Sequence, residues 1–266
     1  MIMTENQLKS QNPWLRFAYP KDKNHLYYAD EYMIHSDDKS IVDSYNQNRA
    51  SRYAFEPHVP PFPFLGNPFT ARVILLSLNP GYIKRINKDV ALLLEQTRIC
   101  SKLNDEWYKR MTHDTDSMFP SRDDEDLYTA FQVLGDWYWV DMLAKLREDT
   151  GIEECDFNRR IAMIQLMPYT SEACNKVLTN LPTQQYTKKL IEYLLDKQGG
   201  PIFVVMRSES EWERLLGVSS FQNGKYKERF ILRKLDKNGR HPRAQYINSN
   251  AFDGNGYERI KQILKK

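Results

Sequence analysis

The residues best suited to chemistry lie at four places along the chain. They are the turn Asn79-Pro80-Gly81-Tyr82, the amide Gln165 with Tyr169-Thr170-Ser171 behind it, the pair Arg207-Ser208, and the segment Arg240-His241-Pro242-Arg243. Asn79 brings a side-chain amide, which can orient water but cannot remove a proton at neutral pH. Gly81 lets the backbone approach a ligand closely, and neighbouring peptide N–H groups could hold an anionic oxygen. Taken alone, Asn-Pro-Gly is also an ordinary turn initiator. Gln165 reads either as a ligand-facing amide or as a buried amide bonded to backbone. His241 reads either as a donor to a ligand or as a surface-loop histidine before a turn proline. Tyr169, Thr170 and Ser171 could line a cleft or cap the next helix.

What must position these groups is a series of short apolar runs. Arg72-Val73-Ile74-Leu75-Leu76-Ser77-Leu78 is almost unbroken, and so are 161–167 and 201–206; 229–233 is a shorter fourth run. Runs of this length, apolar on both faces, are expected of strands buried in a parallel sheet. Between them lie helical patterns: near 87–98, over 127–142, from about Thr183 to Asp196, and after Ser208, where Ser208 and Glu211 have capping-box spacing. A last helix carries Tyr257, Ile260, Ile263 and Leu264. Strands alternating with helices predict an α/β fold of three layers, αβα, with a central, mostly parallel four-stranded sheet. Ligands of such sheets bind beyond the carboxyl ends of the strands, where all four candidate places fall. Residues 1–60 are polar and rich in tyrosine, and are expected to be an N-terminal extension packed on a domain spanning 61–266. The Pro-rich passage 58–64 is an extended lead-in to the first strand.

Composition narrows the function. At 266 residues, 41% hydrophobic and 12% aromatic, the chain can bury a full core without disulfides or metal. No stretch of eighteen apolar residues occurs, so a membrane span is not expected. The N-terminus shows neither the apolar core nor the cleavage site of a signal peptide. Cys100, Cys155 and Cys174 are odd in number and at least nineteen positions apart, which fits a reducing cytoplasm and disfavours a cysteine-based metal site. The net charge of +3 is mild, but between Lys225 and Arg243 eight basic residues face two acidic ones. Such a stretch could attract phosphates or could be a solvated loop. The acidic run 123–126 is read as the first turn of a helix rather than as acid/base machinery.

Phe64-Leu65-Gly66-Asn67-Pro68 followed by Val73 to Gly81 resembles the first motif region of the uracil-DNA glycosylase superfamily, in branches whose motif ends Asn-Pro-Gly. Gln165-Leu166-Met167-Pro168-Tyr169 resembles a divergent form of the segment that supplies the base-reading amide. His241-Pro242-Arg243 resembles a shortened form of the last motif, normally His-Pro-Ser-Pro. The likeness covers roughly residues 60–260 and implies a uracil-DNA glycosylase-like fold. By position it implies that Asn79 places the attacking water and that His241 stabilises the departing base as negative charge develops on it. It implies that Gly81 and Tyr82 shape the pocket floor, that Gln165 reads the base edge, and that Tyr169 belongs to the substrate pocket. Ser208, Arg240 and Arg243 would contact the DNA backbone. No cofactor and no metal are implied.

Two departures bear on that reading: Gln165 is one methylene longer than the Asn of the family, and the last motif lacks its Ser and second Pro. The expected function is therefore excision of uracil or another modified base from single- or double-stranded DNA by base flipping, with DNA as partner. The alternative is a catalytically silent nucleotide- or nucleic-acid-binding module of the same fold. Another hydrolase is disfavoured, because no Gly-x-Ser-x-Gly elbow and no metal-ligand cluster is present.

Overall fold

The computed structural model describes residues 3–17, 32–80, 100–131, 137–234 and 247–266. Its strands are β1 (Phe64–Leu65), β2 (Val73–Ser77), β3 (Ile161–Gln165), β4 (Ile202–Val205) and β5 (Phe230–Leu232). They form one sheet in the order β1-β3-β2-β4-β5. β2 pairs in parallel with β3 and β4, and β4 with β5, in a register that sets Ser77 opposite Gln165. The sheet differs from the four-stranded expectation by β1, an antiparallel edge strand on β3. Its two residues are too few to show a periodicity. The prolines around it cannot donate to a ladder, so pairing continues only through single contacts such as Phe62 N–H to the Pro168 carbonyl.

Helices cover both faces of this α/β sheet. In chain order they are α1 (Glu5–Lys9), α2 (Lys39–Gln47), α3 (Cys100–Thr112), α4 (Glu125–Phe131), α5 (Trp137–Thr150), α6 (Glu154–Arg160), α7 (Gln184–Asp196), α8 (Glu209–Leu216) and α9 (Gly256–Lys265). The helical stretch expected over 127–142 is divided between α4 and α5, and 132–136 lie outside the described residues. So does the whole helical pattern at 87–98.

Alternation along each strand assigns the two cores. Val73, Leu75, Ile161, Met163, Ile202, Val204 and Ile231 meet Trp107, Met142, Leu146, Phe157, Tyr257 and Leu264 on one face. Ile74, Leu76, Ala162, Ile164, Phe203, Val205 and Phe230 meet Leu190, Leu194, Trp212 and the N-terminal Leu8, Trp14, Val42 and Phe55 on the other. The crossover from β2 to β3 runs over the first face by α5 and α6. The crossover from β3 to β4 moves the opposite way and runs over the second face by α7, as a single handedness requires. β2 and β4 are thus neighbours whose outgoing connections diverge, the kind of switch point at which α/β sheets bind ligands.

Candidate functional site

Asn79 lies just beyond the carboxyl end of β2. Its segment is held beyond the strand itself, because Leu166 and Met167 donate their backbone N–H groups to the Ser77 and Leu78 carbonyls. The half-buried Asn79 side chain donates from Nδ2 to Ser171 Oγ at 3.0 Å and to the Pro80 carbonyl at 3.1 Å. An amide nitrogen has two hydrogens, so both are engaged and Oδ1 is the atom with capacity to accept from water. Ser171 is buried and donates in turn to the Ala173 carbonyl. Ser171 therefore does not cap the next helix, which begins at Gln184; it anchors Asn79.

The loop that carries Ser171 is fastened on several sides. Glu56 N–H donates to the Thr170 carbonyl, and Ala173 N–H to the Arg52 carbonyl. Gln184, at the start of α7, donates from Nε2 to the Leu166 and Leu178 carbonyls. Tyr169 needs a correction, because its side chain is 1% exposed and packs near Trp14 and Phe55 rather than facing a substrate pocket. Its hydroxyl donates to Asp38 Oδ2 at 2.6 Å and accepts from the His35 N–H. Burial, reinforced by the Asp38 charge, pushes its ionisation far above the ordinary range and keeps it neutral.

Gln165 is 2% exposed and sits on the sheet face of Met163, beside Ser77. Its Nε2 lies 3.7 Å from Met163 Sδ, and its Oε1 has no hydrogen-bond partner. The alternative of a backbone-bonded amide is not what is found: this is a buried primary amide whose acceptor is unmet, at a cost of about 1–3 kcal/mol.

Ser208 has left-handed backbone, with φ 57°, and makes no side-chain cap bond. The capping box suggested by its spacing is absent because Glu211 accepts from Ser210 instead. Glu209 follows directly, its carboxyl pushed up by burial and by Glu213. Carboxylates at this end of α8 oppose a phosphate, so the DNA-backbone role of Ser208 finds no support in its surroundings.

The basic stretch is largely occupied within the protein over its described part. Lys225 pairs with Asp196, and Lys234 with Asp253. Arg233 is 5% exposed. Arg229 donates to the carbonyls of Leu194, Leu195, Lys197 and Gly200, the groups left open where α7 ends. A helix C-terminus favours a cation, and sequence charge alone does not reveal that use.

Gly81, Tyr82, Arg240, His241 and Arg243 lie outside the described residues. Among the described residues no cluster of three His, Cys, Asp or Glu side chains could hold a metal ion, and no helix is long and apolar enough to cross a membrane. Neither family models, nor curated proteins, nor solved structures match this chain.

Proposed function

We propose that the chain is a DNA glycosylase-like hydrolase on a uracil-DNA glycosylase-like α/β scaffold, cleaving the N-glycosidic bond of uracil or another modified base. The observation that carries this reading is the fixing of Asn79 beyond the carboxyl end of β2, with both amide hydrogens engaged and Oδ1 left to orient water. Breaking the bond to a base builds positive character on the sugar and negative charge on the base. An Asn that only aims the nucleophile suits such a reaction, provided that the leaving base is stabilised from another side. His241 is the residue assigned to that task. A base within a duplex is out of reach, so the nucleotide must be swung out or already single-stranded. Gln165, with an unmet acceptor, is the amide assigned to the base edge. The free thiols of Cys155 and Cys174 fit a reducing cytoplasm.

The test is release of free base from single- and double-stranded oligonucleotides carrying uracil and other modified bases. Asn79→Ala is expected to lower the rate roughly 100-fold, the scale of a misplaced reacting group, and His241→Ala to abolish release. Wild-type protein that releases no base from any of the panel would end this reading. The deep burial of Gln165 favours a second reading, a silent binding module of the same fold. That module would bind oligonucleotides saturably and salt-sensitively without forming abasic sites.

A further inference from the structure

We propose that Asp38, in the N-terminal extension, is a positioning residue for Asn79, acting through Tyr169 and Ser171. Asp38 is fully buried. Its Oδ2 accepts from the Tyr169 hydroxyl at 2.6 Å and from Thr183 Oγ1 at 2.6 Å, and its Oδ1 accepts from the Thr183 N–H at 3.0 Å. All three donors are neutral and lie 131 or 145 positions away in sequence. A buried carboxylate is tolerated only where hydrogen bonds replace its hydration, so these donors must stay where they are. The loop from Gln165 to Thr183 is thereby pinned at both its start and its end.

Tyr169 is two residues from Ser171, and Ser171 Oγ is the acceptor that fixes the Asn79 amide. The intervening Thr170 has its carbonyl held by Glu56 N–H, also from the extension. The chain of contacts is therefore short, and each link is a hydrogen bond or a pinned peptide. Asp38 itself also donates its backbone N–H to the His35 carbonyl, and it need touch no substrate.

The proposal rests on Asn79 being the working residue of the site, but its test does not depend on turnover. Asp38→Asn is isosteric and puts an NH2 group where an acceptor is needed: facing Thr183 N–H it sets donor against donor, and facing the hydroxyls it leaves Tyr169 without its acceptor. In the 15N–1H spectrum of the full chain, the side-chain amide pair of Asn79 is identified by its loss in Asn79→Ala. Ser171→Ala should move this pair, and Asp38→Asn and Tyr169→Phe should move it in the same direction. Leu264→Ala, in the opposite core, controls for general loosening and should leave it in place. If Asp38→Asn does not fold, Tyr169→Phe is read alone.

An Asn79 pair that stays at its wild-type position in the folded variants, while Ser171→Ala shifts it, overturns the proposal. In base-release assays, Asp38→Asn should lower kcat about tenfold or more with KM nearly unchanged, the signature of a misaligned nucleophile. A rise in KM alone would also overturn it. Wild-type protein without base release would remove the functional reading, while the amide resonances would still decide the coupling.

Discussion

His113 shows how much a single side chain can hold without any sequence signal. It ends α3 with a φ of 62° and is buried against Phe64, Phe69 and Tyr186, with ring centroids 4.5, 5.3 and 5.8 Å away. Neither ring nitrogen has a hydrogen-bond partner. Burial, with a smaller contribution from the Lys9 charge, pushes its pKa from 6.5 down to about 3. The unfolded chain therefore takes up a proton below about pH 6.5 that the folded state refuses until about pH 3. Stability from this group is complete above 6.5 and falls through that window by about 1.4 kcal/mol per pH unit. Between pH 7 and pH 5 the wild type should lose about 2 kcal/mol from this source. His113→Phe should remove that component while keeping the aromatic box. Urea denaturation of both proteins at the two pH values measures the difference, and parallel losses would place the acid sensitivity elsewhere. Nothing around His113 in Met111-Thr112-His113-Asp114 announces burial, because its neighbours come from β1 and α7.

At the scale of elements, what was legible were the parts whose burial is written locally. The apolar runs that became β2 to β5 alternate between two cores and need both faces covered, so composition alone separates them from exposed strands. α7 likewise buries Tyr186, Leu190, Ile191 and Leu194, the stripe its spacing marks. β1 was not legible, since it exists only because β3 offers an edge. Nor was the role of Arg229, because a guanidinium that closes a helix looks in sequence like any other cation. Gly199 and Gly200, which follow α7, do different work. Gly199 has φ 66°, whereas a Cβ on Gly200 would lie 2.5 Å from the Leu194 carbonyl oxygen and 2.7 Å from the Arg229 guanidinium. Gly200→Ala should therefore cost about 1–3 kcal/mol, as overpacking at a rigid contact does. Chemical denaturation of the variant measures this; an unchanged midpoint would mean that the end of α7 yields without loss.

For the molecule as a whole, the partners of residues 1–60 are the part least legible in the sequence. Their polarity and scattered aromatics suggest an extension packed on the domain but do not say where it packs, because the partners of those aromatics lie far along the chain. Trp14, Phe17, Met33, Ile34, Val42, Tyr45 and Phe55 complete the core on the second face of the sheet, with Ile74, Leu76, Ile164 and Leu166. Asn12 also donates from its side chain to the Met111 carbonyl at the end of α3. The expected domain boundary near residue 60 thus runs through a continuous core. Each large apolar side chain in it contributes about 1.5–3 kcal/mol by burial, and whole domains are stable by only about 5–15 kcal/mol. Removing seven of them removes an amount comparable to that whole margin, and it strips the Asp38 carboxylate from Tyr169 and Thr183 as well. A chain of residues 61–266 should accordingly lack a cooperative thermal transition and bind a hydrophobic dye, while the full chain melts in one step. Supplying a peptide of residues 1–60 should restore part of the transition if the face remains accessible. A cooperative melt of 61–266 by itself would mean that the sheet can close its second face with α7 and α8 alone, and that the extension is a cover rather than a layer of the fold.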